Sequence, residues 1–107
     1  MKLYRTVSKP EFDDYKAHHE FRVGRNTIEG KQFFKTEAGV NELIRESVRQ
    51  NYQPPYQYIF IVHADADCMK QIKYDEQELD KYEAITVQET DLPAFNKCIK
   101  FVEQNDI

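Results

Sequence analysis

A chain of 107 residues has room for one compact domain around one core, and none for separate cofactor and substrate domains. With 15 Lys and Arg against 19 Asp and Glu the formal net charge is −4, and 40% hydrophobic with 13% aromatic residues marks a globular chain, not a disordered one. The longest apolar run, residues 58–62, is far below the ~20 residues of a membrane span, and no apolar leader opens the chain, so the expectation is a cytoplasmic protein with no membrane partner unless another system delivers it.

Residues 2–7 alternate, with Leu3, Arg5 and Val7 on one side, which predicts a strand. Ser8 with Glu11 three residues on reads as a capping box, and Pro10 sits where a missing N–H is harmless, so a helix follows with Phe12, Tyr15 and His19 inward. Gly24, Asn26 and Gly30 mark a loop leading to a short apolar segment, residues 32–34. Val40, Leu43, Ile44 and Val48 form the clearest amphipathic stripe, on a helix over residues 37–50 with Thr36 as its N-cap. Pro54 and Pro55 end it, and residues 56–64 are apolar on both sides, as a central strand would be. Residues 65–82 stay open: Asp65 can cap a helical turn, and 77–82 reads as turn or helix. Residues 83–87 read as a strand, and Asp91 with Pro93 opens a last helix carrying Leu92, Phe95, Ile99 and Val102. The whole is a single α+β domain over residues 1–107, with a split, mostly antiparallel sheet and flanking helices.

Charge is uneven. Residues 1–35 carry eight basic and five acidic groups, a surplus of +3, whereas 36–107 carry seven and fourteen, giving −7. The first third can hold a single pyrophosphate, but the basic face is too small for general nucleic-acid binding. Cys68 and Cys98 have neither CxxC spacing nor the density of a disulfide scaffold, which predicts two free, inert thiols in a reducing compartment.

Arg5, on an apolar strand face, must either reach water at the strand end or meet an anion, because isolated burial is costly. Glu83 opens a strand whose Ile85 and Val87 face the same way, and it is either a surface carboxylate or a functional one. The segment His63-Ala-Asp65-Ala-Asp67-Cys68 has ligand types but lacks the glycine and distal glutamate of a calcium loop and the paired ligands of zinc, so no metal is expected. His18 and His19 point about 100° apart on a helix, so one is expected inward and the other solvated. No GxGxxG, P-loop, HExxH or GxSxG occurs.

Leu3-Tyr4-Arg5 before a capped helix, then Asn26-Thr27-Ile28-Glu29-Gly30-Lys31 running into Gln32-Phe33-Phe34-Lys35-Thr36, resembles the opening of small bacterial ADP-ribosyltransferase-like toxin domains, of the kind that end polymorphic toxins. Glu83-Ala-Ile-Thr-Val87 followed by Asp91-Leu-Pro-Ala-Phe-Asn96 is similar to their closing strand and last helix, and the order agrees over nearly the whole chain. The resemblance implies NAD as co-substrate, Arg5 for NAD binding, Phe33 or Phe34 as a stacking aromatic, Thr36 as the weaker hydroxyl candidate, Glu83 as the catalytic glutamate, and an unknown macromolecular acceptor. Departures are plain: Lys81 replaces the Gln or Glu of arginine-modifying members, and Lys35-Thr36-Glu37 stands where one branch has Ser-Thr-Ser. Glu89 is an alternative carboxylate. The competing expectation is a non-catalytic binding or regulatory protein of the same fold, using Asp75, Glu76, Glu78 and Asp80 as an acidic partner surface.

Overall fold

The computed structural model describes residues 1–23 and 30–107. Its elements are strand β1 (Lys2–Ser8), helix α1 (Lys9–His18), β2 (Gly30–Phe34), α2 (Glu37–Arg49), β3 (Tyr56–Ala64), a short α3 (Ala66–Met69), β4 (Asp75–Leu79), β5 (Tyr82–Gln88), a 3-10 turn (Glu89–Asp91), α4 (Leu92–Cys98) and β6 (Ile99–Asp106). Six strands form one antiparallel sheet in the order β4-β5-β2-β1-β3-β6. No helix among the described residues is long and apolar enough to cross a membrane.

The ladder is unequal. β1 and β3 run in register from Lys2 opposite His63 to Val7 opposite Tyr58, and β3 continues into β6 in the same way. On the other side, β2 pairs with β5 from Gly30–Gln88 to Phe34–Ala84, and β5 with β4. Between these halves, β1 and β2 share a single registered pair, Tyr4 with Phe34. The sheet is therefore split along a seam between β1 and β2, with β4-β5-β2 on one side and β1-β3-β6 on the other.

Alternation along each strand gives the sheet two different faces. On one, Leu3, Val7, Phe33, Phe60, Val62, Ile85 and Val87 pack with Phe21, Met69, Leu92, Phe95 and Cys98 into the main core, with Phe12 and Tyr15 of α1 against its margin. On the other, Phe34, Val40 and Ala84 make a smaller core under α2, joined by Tyr4, Leu43, Ile59, Leu79 and Tyr82. Gly39 sets how closely α2 approaches, since a Cβ there would lie 2.6 Å from Cδ1 of Phe34 and 3.0 Å from Cβ of Tyr82. Gly39→Ala would otherwise gain up to ~1 kcal/mol of helix propensity. Overpacking costs about 1–3 kcal/mol, so the variant is expected to be less stable than the parent, seen as a lower denaturation midpoint in urea.

Several elements depart from the expectations. α1 ends at His18, and His19 turns left-handed at φ 56°, so both histidines are exposed and Phe21 takes the inward place expected of His19. Asn96 fixes that change of path, its Oδ1 accepting from the Phe21 N–H at 2.8 Å and its Nδ2 donating to the Phe21 carbonyl at 2.9 Å. Val48 is 75% exposed because the buried line of α2 runs through Gly39, Val40 and Ser47. Asp65 caps α3 as expected, accepting from the Cys68 N–H. Within the open stretch 65–82, residues 75–79 form a strand, so 77–79 are extended where turn or helix was expected, and the last helix stops at Cys98, leaving Ile99 and Val102 on β6, where they pair with β3. The two cysteines are not free thiols: Cys68 and Cys98 form a disulfide with Cα atoms 5.5 Å apart, which removes the argument for a reducing compartment.

Candidate functional site

The seam gathers the unusual charges. Arg5 lies on the main-core face of β1, and its guanidinium meets the anion that such a position demands. Nε and Nη2 donate to the two carboxylate oxygens of Glu11 at 2.6 and 2.7 Å, a bidentate fork. Its third nitrogen, Nη1, crosses the seam and donates to the Gln32 carbonyl of β2 at 2.9 Å, a side-chain donor where the two strands have parted. The guanidinium carbon lies 5.8 Å from the Phe33 ring centroid, within cation-π range. Lys31, on the same face of β2, brings its ammonium to 3.4 Å from Oε1 of Glu11.

Glu11 is thus not the reciprocal half of a capping box, since Ser8 makes no side-chain cap bond; the carboxylate turns from the helix end toward the sheet. Burial pushes this carboxyl up, but the hydrogen bond and charge of Arg5, then Lys31, outweigh it and hold the group below the usual glutamate range. Lys31 is held below the usual lysine range by burial and then by the Arg5 charge, against the pull of Glu11. Among the described residues two cations share one carboxylate, and the cluster keeps a positive surplus while only partly exposed, its side chains at 19%, 21% and 7% for Arg5, Glu11 and Lys31. Such an arrangement can attract an anion.

Glu83 stands apart. It lies on the same sheet face as Arg5, two strands across and one pleat repeat further along. Its side chain is exposed, its carbonyl accepts from the Lys35 N–H at 2.9 Å, and Glu78 of β4 is directly opposite. Lys35 gives its ammonium to Glu76 at 2.6 Å. Its pKa is raised chiefly by that bond, with a smaller contribution from the Glu83 charge. Glu83 therefore sits in a carboxylate-rich patch, and its own charge is set against a like charge across the ladder.

The other sequence candidates are not brought to this place. Phe33 is 0% exposed and enclosed by Phe21 and Phe95, so its ring cannot stack on a ligand. Phe34 points to the opposite face, under α2. The Thr36 hydroxyl is occupied as the N-cap of α2, accepting from the Gly39 N–H at 3.2 Å. Glu89 lies in the 3-10 turn after β5, off the ladder. The stretch 24–29, which carries most of the loop motif, lies outside the described residues. Sequence reasoning missed Glu11 as a partner of Arg5, although an arginine on an apolar strand six residues before a glutamate in the first turn of the next helix was the available signal. Comparison with protein-family models, curated proteins and solved structures finds no match to this chain.

Proposed function

We propose that the domain is ADP-ribosyltransferase-like and binds NAD across the seam between β1 and β2, cleaving the nicotinamide-ribose bond and passing ADP-ribose to an unknown macromolecular acceptor. The observation that carries this reading is the parted sheet with a surplus of positive charge, Arg5 and Lys31 against Glu11, at the parting. The pyrophosphate is the natural anion for a cluster with more cation than carboxylate, and an extended dinucleotide covers the distance to Glu83. As the bond to nicotinamide breaks, its electron pair leaves with the nicotinamide and positive charge grows on the ribose. An ionised Glu83 stabilises that charge and orients a ribose hydroxyl, while the acceptor supplies the electron pair for the new bond. Aromatic stacking drops out of this reading, because Phe33 is sealed in the core.

Glu83→Gln is the clean test. It is expected to abolish release of nicotinamide, followed by chromatography, while NAD binding by calorimetry persists. Its melting temperature is expected to hold or rise slightly, because the substitution removes the like-charge contact with Glu78. Arg5→Ala is a poorer test, since it strands Glu11. Equal nicotinamide release by parent and variant would remove Glu83 from the mechanism. Absence of binding at millimolar NAD would favour the second reading, a non-catalytic protein working through acidic contacts, for which the observation is the exposed Asp75, Glu76 and Glu78 on the edge strand β4.

A further inference from the structure

The two rims of the sheet are guarded differently. An open strand edge is a template for another strand, and proteins blunt it with charge, brevity, proline or a bulge. β4, at one rim, is five residues long and carries Asp75, Glu76 and Glu78, all exposed, so it repels a second copy of itself. β6, at the other, is eight residues long, contains no proline, and pairs with β3 without interruption from Phe101 onward, its one irregularity lying earlier, at Ala64. The Ile107 N–H continues this ladder, donating to the Gln57 carbonyl at 3.0 Å. Bonded pairs alternate in an antiparallel ladder, so Phe101, Glu103, Asn105 and Ile107 spend their backbone groups on β3. Val102, Gln104 and Asp106 turn theirs outward, and among the described residues no strand takes them up.

The side chains select the occupant. β6 and the residue after it carry two exposed large hydrophobic residues, Phe101 at 54% and Ile107 at 56%, both on the face that α2 shares. Let a second β6 run antiparallel to the first about a two-fold axis through Gln104. Val102 then stands opposite Asp106 of the other copy, Gln104 opposite its own equivalent and Asp106 opposite Val102, which joins all the outward groups in about six backbone hydrogen bonds. In this register Phe101 meets Ile107 twice and Glu103 meets Asn105, so apolar faces apolar and no like charges are opposed. Lys16, whose Nζ donates to Oε1 of Gln104 at 3.1 Å, brings one ammonium from each copy to a junction that also holds two Asp106 carboxylates. Moving the axis to Glu103 sets that carboxylate against itself, and moving it to Asn105 leaves Phe101 without a partner.

We propose that the outer edge of β6 is a self-association surface, on which a second copy of this chain adds its own β6 to make one continuous sheet across a two-fold axis at Gln104. The β4 edge of a second copy fits less well, because its three carboxylates would meet Glu103 and Asp106. One added strand pair is a small interface beside the about 1,200–2,000 Å² of a stable complex, so the dimer is weak and concentration-dependent. The inference is independent of NAD: β6 contains none of Arg5, Glu11, Lys31 and Glu83.

The test is sedimentation equilibrium of the full chain at concentrations from about 10 μM to about 1 mM. The expected result is a weight-average mass rising from 12.8 kDa toward twice that, with a Kd on the order of 0.1 mM. Gln104→Pro removes an outward N–H that β3 does not use, and is expected to keep a cooperative melt while weakening association at least about tenfold. Gln104→Cys tests the register without altering the backbone. A directly opposed bonded pair sets its Cα atoms about 5.5 Å apart, within disulfide reach, whereas the two Asp106 positions would stand about 14 Å apart. Both positions are exposed and the native cysteines are bonded to each other. Under oxidised glutathione Gln104→Cys is therefore expected to form a covalent dimer at least about tenfold faster than Asp106→Cys, since it alone gains effective concentration from the pairing. A mass of 12.8 kDa at every concentration would overturn the proposal. Undiminished association of a folded Gln104→Pro chain, or equal crosslinking at the two positions, would overturn the β6 edge as the site.

Discussion

Replacing Glu11 with alanine is expected to cost about 3 kcal/mol, the low end for breaking a buried ion pair, because Arg5 and Glu11 keep a fifth of their side chains in water. The loss exceeds that of a surface salt bridge, where the median lies near 0–1 kcal/mol. Without Glu11, two like charges face each other across the seam, and Lys31, 7% exposed, has little water to turn to. For a chain of this length the change corresponds to a fall in melting temperature of roughly 10–15 °C. Glu11→Ala combined with Lys31→Met is expected to be less destabilised than the two separate losses added, since the second substitution removes a cation that the first left stranded. A Glu11→Ala variant within about 0.5 kcal/mol of the parent would show that the cluster behaves as a surface pair.

The same cluster sets a direction for acid sensitivity. The carboxyl of Glu11 is held below its ordinary range in the folded chain, so its contribution is fully present above the unfolded glutamate pKa. It is lost as the pH falls through the lowered folded value. Glu11→Ala is therefore expected to flatten the acid limb of the stability profile, converging on the parent at low pH. In this respect the cluster that gives the seam its surplus positive charge is also a determinant of stability, and an anion binding there would compete with Glu11 for Arg5.

The parts of the fold that were legible in the sequence are those with a local physical cause. β1, α2 and β3 announce themselves by period and by caps, and Thr36 and Asp65 cap the helices that follow them. The β4–β5 hairpin was illegible because its two turn residues, Asp80 and Lys81, adopt φ of 49° and 76° without the glycine that ordinarily signals such a turn. β6 was hidden by a helical coincidence: Phe95, Ile99 and Val102 keep a helical spacing, yet β3 has a second edge to satisfy, and the chain after Cys98 extends to pair with it. For the site, Arg5 and Glu83 were readable as charges on apolar faces. What they touch was not, because Glu11 reaches Arg5 through the turn from strand to helix, and Glu78 meets Glu83 only through the hairpin.

Reducing the bond between Cys68 and Cys98 is expected to lower stability by about 3–4 kcal/mol, from the loop-closure entropy of a crosslink spanning a separation of 30 residues. The spacing in sequence gives no hint of it; the pairing follows from α3 and α4 meeting end to end, where the Asp65 N–H also donates to the Cys98 carbonyl at 2.8 Å. The loop so closed contains β4, β5 and α4, the whole segment bearing Glu83 and the acidic edge. A melting temperature roughly 12–20 °C lower under dithiothreitol follows from that magnitude. The double variant Cys68→Ala, Cys98→Ala is expected to melt close to the reduced parent and to be indifferent to dithiothreitol, which separates loss of the crosslink from any other effect of the reductant. Equal melting of the oxidised and reduced parent would show that α3 and α4 are held by packing alone. A full effect would mean that the segment carrying β4, β5 and Glu83 depends on the crosslink to stay in place.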